Sequence, residues 1–450
     1  MSHYPEIMYY HNSNIVANRN YYVNINKDSS LTFAFTNVSI TLDARISGNI
    51  INKIVCSTLN YLGLNVIDLG LATTPTVEMA VMKKKAMGGI IITASHNPED
   101  WNALKLLNSN GEFISSEDGN KVLKIAENNS ICFSTVENLG TYLEDNTFLN
   151  YHLNQILSLP LVKQEIIKSK KIKIVVDAVN SVGGIAVPKL LNKFGVDVIE
   201  LYCEPNGRFP HNPEPLKENL QDISKKVVEE KADLGIVVDP DVDRLAIICE
   251  DGTMFGEEYT LVAVADYVLS HRKGPTVSNL SSSLALRDIS EKYDCLHFSS
   301  AVGEVNVVKL MKEKNAIIGG EGNGGIILPE LHYGRDALVG IALFLSYFSI
   351  ANIKCSLLKQ LFPQYYMSKQ KVTIHEDIDI DKLLELLKDL YKENDCDTID
   401  GLKVYFDKSW VHIRKSNTEP IVRIYAEATT QEKANMLAQN FITKIQQISN

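Results

Sequence analysis

Two short segments, far apart in the chain, carry residue types and spacings suited to phosphate chemistry. Asp239-Pro240-Asp241-Val242-Asp243-Arg244 places carboxylates at i, i+2 and i+4, and an extended loop directs such side chains toward one side. A hard divalent cation prefers oxygen ligands of this kind. In Thr93-Ala94-Ser95-His96-Asn97-Pro98, Ser95 follows the apolar run 90–92, so its hydroxyl would lie at the end of a strand. Together the two segments indicate metal-assisted chemistry on a phosphoserine.

The acidic segment has a simpler reading as a solvated turn, the ordinary fate of an isolated Asp pair. Three carboxylates directly after the apolar run 234–238 would repel one another unless a cation neutralised them. We therefore favour a Mg²⁺ site, with Arg244 beside it as a partner for phosphate. His96 and Lys105 lie close enough in sequence to Ser95 to exchange a proton in the same pocket.

Two further loops carry groups suited to sugar and phosphate. The glycine-rich run 319–325 contains Glu321 and Asn323, a carboxylate and an amide that could bind vicinal sugar hydroxyls. It lacks the lysine of a nucleotide-binding P-loop. The loop around Arg414 offers basic and hydroxyl groups that suit a phosphate dianion; its candidate residues are Arg414, Ser416, Asn417, Thr418 and, further on, Arg423. A structural turn stays open for each loop taken alone.

The elements that must position these loops alternate between strand-like and helix-like patterns. Apolar runs at 65–69, 89–92, 172–177 and 234–238 are separated by helical spacing, which predicts βαβ units with mixed or parallel sheets. Ligands bind at the carboxyl ends of strands in such sheets, where the first three loops fall. The last part differs: runs at 403–406, 410–413 and 421–426, followed by helical spacing over 431–445, predict a small α+β domain.

Composition narrows the class of protein to which the chain could belong. The chain has 450 residues, so three or four domains are expected. Its net charge of −10 is interspersed, which argues against a broad nucleic-acid-binding face. The seven scattered cysteines show no C-x-x-C spacing, which predicts reduced thiols in a cytoplasmic setting. The longest apolar run, 337–350, is short for a membrane span and predicts a buried helix.

With its loops in this order, the chain resembles the α-D-phosphohexomutase superfamily, and most closely its phosphoglucosamine mutases. T-A-S-H-N-P matches the phosphoserine loop and D-P-D-V-D-R the metal loop, while G-E-G-N-G-G matches the sugar-binding loop and R-K-S-N-T-E-P the phosphate loop. The resemblance implies three α/β domains with mixed sheets and a C-terminal α+β domain around a central cleft. The expected boundaries are 1–145, 146–255, 256–368 and 369–450.

The resemblance also implies an activity and its cofactors. The expected reaction interconverts glucosamine 6-phosphate and glucosamine 1-phosphate through phosphorylated Ser95 and a sugar bisphosphate, which also serves as activator. One Mg²⁺ per chain would be bound by Asp239, Asp241, Asp243 and the Ser95 phosphate. Three alternatives stay open: a phosphomannomutase/phosphoglucomutase, a low-activity sugar-phosphate binder, and an aspartyl phosphotransferase using Asp239. No nucleic-acid or membrane partner is expected, and a homodimer is left open.

The chain departs from the superfamily in two places. Members usually begin with a G-T-S-G-x-R-G-like loop, whereas residues 1–35 are rich in Asn and Tyr. The arginine that family members place near the transferring phosphoryl group therefore has no evident counterpart, and a reduced rate is expected. Gly325 stands where phosphomannomutase/phosphoglucomutase members carry a histidine, so His96 and Lys105 become the proton-transfer candidates.

Overall fold

The structure, a computed structural model, describes residues 37–128, 131–373, 379–415 and 421–449. The described chain divides into two compact units. Unit 1 comprises the described residues of Met1–Thr260 with Asn323–Ser356, and unit 2 comprises those of Leu261–Gly322 with Leu357–Asn450. Residues 1–35 and the segment Ser416–Asn417–Thr418, which the sequence analysis singled out, lie outside the described residues.

The α-helices of the described chain alternate with strands through most of its length. In chain order they are α1 Gly48–Tyr61, α2 Thr74–Lys84, α3 Ser116–Glu127, α4 Phe148–Ser158, α5 Gln164–Ser169, α6 Gly183–Lys193, α7 Gln221–Glu229, α8 Glu257–His271, α9 Leu284–Lys292, α10 Glu304–Lys314, α11 Ala337–Ala351, α12 Cys355–Lys359, α13 Ile380–Leu390 and α14 Gln431–Ser449.

The first sheet of unit 1 has helices on both faces. Its strands are β1 Asn37–Leu42, β2 Asn65–Leu71, β3 Gly88–Ile92, β4 Leu104–Leu107 and β5 Tyr142–Glu144, in the order β4-β3-β1-β2-β5. Only β4 runs antiparallel to its neighbour. Successive side chains of β3 point to opposite faces: Ile90 and Ile92 pack with α1, and Ile91 packs with α2. The continuous apolar run before Ser95 is therefore that of a strand buried on both faces.

The second sheet of unit 1 repeats this plan. Its strands are β6 Lys173–Asp177, β7 Asp197–Leu201, β8 Leu234–Val238 and β9 Leu245–Cys249, in the order β7-β6-β8-β9. Strand β8 is buried along its whole length and pairs antiparallel with β9. The acidic segment is the short connection between these two strands, so both of its ends are fixed by the sheet.

Unit 2 contains a parallel and an antiparallel sheet. Strands β10 Thr276–Asn279, β11 His297–Ser300 and β12 Ile318–Glu321 pair in parallel, with β10 in the centre; the next strand in the chain, β13 Gly325–Ile327, belongs to unit 1. The last sheet comprises β14 Tyr366–Thr373, β15 Cys396–Asp397, β16 Leu402–Phe406, β17 Ser409–Lys415 and β18 Ile421–Ala428, in the order β14-β18-β17-β16-β15. Helices α13 and α14 pack on it around Leu387, Phe441 and Ile445.

The expected fold class is confirmed: three of the sheets are of the α/β kind and the last is an antiparallel sheet with two packed helices. One local expectation is wrong. Glu321 is the final residue of β12 and not part of a loop. Gly319, in the same strand, lets α10 pack closely, since a Cβ there would lie 2.6 Å from Met311 Sδ. All seven cysteines are free. Among the described residues, no helix combines the length and apolarity needed to cross a bilayer.

Candidate active site

Ser95 is held in a strained backbone conformation at the carboxyl end of β3. Its φ of +49° lies in the left-handed region, which non-glycine residues seldom adopt. The Ser95 backbone N–H donates to Thr93 Oγ1 at 2.9 Å, and the Thr93 hydroxyl donates to Asp43 Oδ2 at 2.6 Å. Strain of this kind persists only where the surrounding structure imposes it, and it is concentrated at functional sites.

The Arg45 guanidinium holds the rest of this loop. Arg45 is 1% exposed, and its Nε pairs with Asp43 Oδ2 at 3.0 Å. It donates to four carbonyl oxygens of the loop, those of Ser95 (2.6 Å), Asn97 (2.7 Å), Trp101 (2.9 Å) and Pro98. A planar, multiply donating group thereby fixes the curvature of the loop that presents the Ser95 hydroxyl.

The three aspartates of the acidic segment converge on one point. Their side chains are buried, and one carboxylate oxygen of each lies within 4.8 Å of the others. Asp239 Oδ1 accepts the backbone N–H groups of Asp243 and Arg244, both at 3.1 Å. The segment turns at Val242, a β-branched residue at φ +64°, which brings Asp241 and Asp243 to the same side.

The Ser95 loop and the acidic segment meet directly. The Ser95 hydroxyl donates to Asp239 Oδ2 at 3.2 Å. Lys105, on β4, donates to Asp241 Oδ2 at 2.7 Å and to Asp243 Oδ2 at 3.1 Å. The structure therefore brings Ser95, Lys105 and the three aspartates together within unit 1.

The remaining carboxylate oxygens fit a metal ion. Asp241 Oδ2 also accepts from the Thr74 hydroxyl, and Asp243 Oδ2 from Arg335 Nη2 at 2.7 Å. The opposite oxygens, Asp241 Oδ1 and Asp243 Oδ1, are buried and have no hydrogen-bond partner among the described residues. Such atoms are costly to bury unless a ligand satisfies them. With Asp239 Oδ2 they form an oxygen set suited to a hard divalent cation such as Mg²⁺.

The site's charges are strongly coupled. Burial, followed by the nearby Asp243 and Asp241, raises the pKa of Asp239 well above its usual range. Burial would raise the pKa of Asp243 too, but Arg335, Lys105 and Arg244 hold it well below its usual range. Burial would lower the pKa of Lys105, yet Asp241 and Asp243 raise it above its usual range. Lys105 is therefore a fixed cation in the absence of a metal.

His96 and Arg244 are two further basic residues near the aspartates, with Arg244 Nε 3.9 Å from Asp243 Oδ1. Burial and the charge of Arg244 lower the pKa of His96 to about 4, so its imidazole is neutral at pH 7. His96 Nδ1 is buried without a hydrogen-bond partner among the described residues. Arg244 Nη1 lies 3.5 Å from Glu214 Oε1. Asn102, seven residues after Ser95 in the sequence, donates to Ser47 Oγ at 3.0 Å.

Asn323 belongs to the same unit as the aspartates. Asn323 Oδ1 accepts the backbone N–H of Gly325 at 3.3 Å, and the next carbonyl, that of Gly324, accepts the N–H of Leu245 at 3.1 Å. Gly324 has φ +87°, and a Cβ there would lie 2.3 Å from Leu245 O. This close approach fixes the Asn323 turn beside the residue that follows Arg244.

In unit 2, Glu321 is buried at the end of β12. Its Oε1 accepts from Asn279 Nδ2 at 2.8 Å and from the Gly303 N–H at 3.2 Å. The loop that contains Gly303 is bound in turn by the last sheet, because the Val302 N–H donates to Asp400 Oδ2 at 3.0 Å. Asp400 Oδ2 also lies 3.4 Å from Arg414 Nε.

Basic residues line up across the last sheet. Arg423 on β18 is directly opposite Arg414 on β17 and Lys371 on β14, so the three side chains share one face. Like charges directly opposite one another destabilise a sheet, and an anion bound there would offset that cost. The two arginines flank the segment 416–420, which lies outside the described residues.

Three residues that contact the site were not predicted from the sequence: Arg45, Thr74 and Arg335. Thr74-Pro75 at the start of a helical pattern and Asp336 ahead of the run 337–350 are visible helix-start signals. Neither signal shows that the adjacent side chains reach aspartates more than ninety residues away in sequence.

Four family profiles match the chain in succession. They are described as phosphoglucomutase/phosphomannomutase alpha/beta/alpha domains I, II and III and the C-terminal domain, over residues 21–131, 150–252, 256–365 and 369–444. The fold and the site are thus those of a phosphohexomutase. The chain belongs to the phosphoglucomutase/phosphomannomutase family, which confirms the resemblance to the α-D-phosphohexomutases.

Individual relatives carry more than one name. A phosphoglucomutase/phosphomannomutase of Thermococcus kodakarensis is 35% identical over 402 residues, 88% of this chain and 87% of that protein. A probable phosphoglucosamine mutase of Methanopyrus kandleri is 30% identical over 90% of this chain and 89% of that protein. A phosphoglucosamine/phosphogalactosamine mutase of Sulfurisphaera tokodaii is 31% identical over 90% of both.

The fold has solved counterparts. The crystal structure of a phosphoglucomutase/phosphomannomutase family protein from Burkholderia thailandensis aligns with a TM-score of 0.80 at 24% identity, covering 91% of this chain and 88% of that one.

Proposed function

We propose that the chain is a phosphosugar mutase that interconverts glucosamine 6-phosphate and glucosamine 1-phosphate through phosphorylated Ser95. The observation that carries this proposal is the Ser95 hydroxyl 3.2 Å from Asp239 Oδ2, beside two buried carboxylate oxygens without partners among the described residues. A strained serine next to such an oxygen set suits transfer of a phosphoryl group.

The reaction would proceed in two balanced transfers. In the first, the bond between phosphorus and Ser95 Oγ breaks, a bond between phosphorus and a free sugar hydroxyl oxygen forms, and the hydroxyl proton ends on Ser95 Oγ. In the second, the bond between the other phosphorus and its sugar oxygen breaks, a bond between that phosphorus and Ser95 Oγ forms, and the serine proton ends on the sugar oxygen. A Mg²⁺ bound by Asp239, Asp241, Asp243 and the Ser95 phosphate would polarise the phosphoryl group.

The basic residues of unit 1 would have separate roles. His96 is neutral at pH 7, since its pKa is lowered to about 4 by burial and by Arg244, so we assign it the role of proton acceptor. Lys105 stays charged between Asp241 and Asp243, which suits an electrostatic partner of the phosphoryl group. Arg244 would contact the phosphate.

The substrate would be bound by its ring and by its unreacting phosphate. We assign the ring hydroxyls to Glu321 and Asn323. The Glu321 carboxylate is held by Asn279 Nδ2 and the Gly303 N–H, and the Asn323 amide by the Gly325 N–H. The phosphate would be bound by the basic row of the last sheet, together with its neighbouring loop: Arg414, Arg423, Ser416, Asn417 and Thr418. The like charges of Arg414 and Arg423 on facing strands support an anion at this place.

The choice of glucosamine follows from the G-E-G-N-G-G and S-N-T-E-P motifs and from the names of two relatives. A second candidate is the same chemistry on glucose and mannose phosphates, favoured by the name of the Thermococcus relative. We further propose one Mg²⁺ per chain, a sugar bisphosphate activator, cytoplasmic localisation, a homodimer, and four domains divided near residues 145, 255 and 368.

A substrate panel tests the proposal. Turnover of glucosamine, glucose and mannose 1-phosphates is compared with the matching bisphosphate as activator, first with Mg²⁺ and then with a chelator. We expect the highest kcat/KM on glucosamine 1-phosphate and loss of turnover on chelation. A preference for glucose or mannose by tenfold would favour the second candidate, and no turnover of any of the three would contradict the mutase assignment.

A further inference from the structure

Arg335 is a buried cation that contacts the acidic segment and has no role in the reaction proposed for this site. Its Nη2 lies 2.7 Å from Asp243 Oδ2, and Arg335 is 7% exposed. Lys105 Nζ contacts the same carboxylate oxygen at 3.1 Å. Two donors on Oδ2 orient the Asp243 carboxylate so that Oδ1 is the atom left for a metal.

A buried polar cluster fixes the segment that carries Arg335. Asp336 Oδ1 accepts the backbone N–H groups of Leu338 and Val339 at the start of α11. Asp336 Oδ2 lies 2.9 Å from His152 Nε2 and 3.2 Å from His332 Nε2. With the residues on both sides of it bound in this cluster, Arg335 has its direction set by the backbone.

Glu78 on α2 completes the cluster. His332 Nδ1 lies 3.0 Å from Glu78 Oε2. Gly334 is pressed against the same carboxylate, since a Cβ there would lie 1.8 Å from Oε2. The loop from His332 to Asp336 is therefore held by contacts with α2 and α4. Arg335 extends from this loop toward Asp243.

Gly325 provides the space for the Arg335 side chain. A Cβ at this position would lie 2.3 Å from Arg335 Cδ and 3.0 Å from Cγ. Any larger residue at position 325 would have to displace the arginine. The absence of a side chain at Gly325 therefore allows Arg335 to reach Asp243.

The charges at the site indicate what Arg335 does. Three carboxylates and a phosphoserine of charge about −2 carry about five negative charges. A divalent cation together with Lys105, Arg244 and Arg335 carries the same number of positive charges. Arg335 thus supplies one of the positive charges that offset the phosphoserine, and without it the site would hold one more uncompensated negative charge in a buried place, which is unfavourable.

We propose that Arg335 is a positioning residue that favours phosphorylation of Ser95, by orienting Asp243 and by balancing the charge of the phosphorylated site. This inference rests on the proposed function. The affected step is phosphoryl transfer from a hexose bisphosphate to Ser95, in which the sugar O–P bond breaks, the Ser95 Oγ–P bond forms and the serine proton passes to the sugar oxygen.

The test measures the equilibrium between free and phosphorylated enzyme, by intact mass, after incubation of the full chain with glucosamine 1,6-bisphosphate, glucosamine 6-phosphate and Mg²⁺. For Arg335→Gln we expect the equilibrium constant for Ser95 phosphorylation to fall about tenfold or more, the loss typical of a partner behind a metal ligand. Arg335→Lys keeps the charge and should recover most of the loss. Gly325→Ala should act in the same direction as Arg335→Gln, because its methyl group displaces the arginine.

Gly119→Ala is the matched control, because a Cβ at Gly119 meets no atom within 4 Å; it should leave the equilibrium unchanged. Circular dichroism confirms that each variant is folded, and Gly325→Ala supplies the test if Arg335→Gln is not. An unchanged equilibrium in a folded Arg335→Gln or Gly325→Ala variant overturns the inference alone, as does an equal loss in Arg335→Lys. A wild-type enzyme that gains no phosphate on Ser95 overturns both this inference and the proposed function.

Discussion

The Ser95 hydroxyl and Asp239 Oδ2 lie 3.2 Å apart, although 144 residues separate them in sequence. Ser95 comes from the end of β3 in the first sheet, and Asp239 from the end of β8 in the second. Each residue is held by its own loop, Ser95 by Thr93 and Asp239 by the backbone N–H groups of Asp243 and Arg244. The contact between Ser95 and Asp239 therefore depends on the two strand ends being held rigidly. Mutations in either loop can test it.

Arg45→Lys should lower kcat by about 10- to 100-fold, as expected for a misplaced reacting group. Lysine keeps a charge beside Asp43 but cannot donate to four carbonyl oxygens of the Ser95 loop. Arg45→Ala should also lower the free energy of unfolding by about 3–5 kcal/mol, because Asp43 is left buried without its partner. Steady-state kinetics and denaturant unfolding check both. Arg287→Lys, on the half-exposed side of α9, is the control; an unchanged kcat in Arg45→Lys would contradict the role of the guanidinium.

Mg²⁺ should stabilise the protein against heating, because ions that bind only the folded state raise its stability, by about 2.7 kcal/mol at one hundred times the dissociation constant. Asp241→Asn should lower the affinity for Mg²⁺, measured by calorimetry, by more than the roughly 10- to 100-fold loss caused by removing a partner of a metal ligand, because it changes a ligand itself. The exposed Asp389→Asn should leave it unchanged. Because the pKa of Asp239 is raised by burial and by the neighbouring carboxylates, the affinity should also weaken as the pH falls. Equal Mg²⁺ affinity in Asp241→Asn and the wild type would rule this oxygen set out.

The buried cluster around His332 should make stability depend on pH. Burial alone would lower the pKa of His332, but its contacts with the Asp336 and Glu78 carboxylates raise it to about 10. A group whose folded pKa is raised stabilises the protein fully below its unfolded pKa, about 6.5, and this contribution is lost as the pH rises through about 10. The free energy of unfolding should therefore fall between pH 7 and pH 10, and His332→Gln should remove that part of the slope. The exposed His271→Gln should keep the wild-type slope; a His332→Gln protein that also keeps it would contradict this account.

Arg423→Gln should have opposite effects on substrate binding and on stability. Its loss would remove the proposed phosphate contact, so KM for the hexose phosphate should rise about tenfold. This corresponds to the loss of one charge-assisted hydrogen bond worth about 1.5 kcal/mol. The same change relieves repulsion from Arg414 and Lys371, so the phosphate-free protein should become slightly more stable. Lys371→Gln, at the exposed end of the row, gives the stability effect with a smaller change in KM. A variant with unchanged KM would move the phosphate site elsewhere.

Much of the fold could be predicted because its signals are local. The apolar runs 90–92 and 234–238 are strands buried on both faces, and such strands need no polar alternation. The aspartates at i, i+2 and i+4 were likewise recognisable, since their spacing is within one loop. Glu321 was placed in a loop although it ends a strand, because glycines in a strand that packs closely on a helix look like loop glycines in sequence.

The residues that hold the site residues in place could not be predicted from sequence. His152 and Asp336 are 184 residues apart, and Arg335 and Asp243 are 92 residues apart. No periodicity relates such residues, because their contact depends on how α2, α4 and α11 pack together. Arg45 illustrates a second limit: its four acceptors in the Ser95 loop are backbone carbonyl oxygens. Every residue carries such an oxygen, so the residue types of the loop give no signal of this contact.

The most direct test of the central claim is the turnover of Ser95→Ala with glucosamine 1-phosphate, activator and Mg²⁺, together with phosphopeptide mapping of the wild type. Ser57→Ala, an exposed serine on α1, is the matched control. The account predicts an acid-stable phosphate on the Ser95 peptide, full activity in Ser57→Ala and a loss of at least a thousandfold in Ser95→Ala, of the order seen when a nucleophile is removed. Wild-type turnover in Ser95→Ala, or a labile acyl phosphate on the Asp239 peptide, would contradict it.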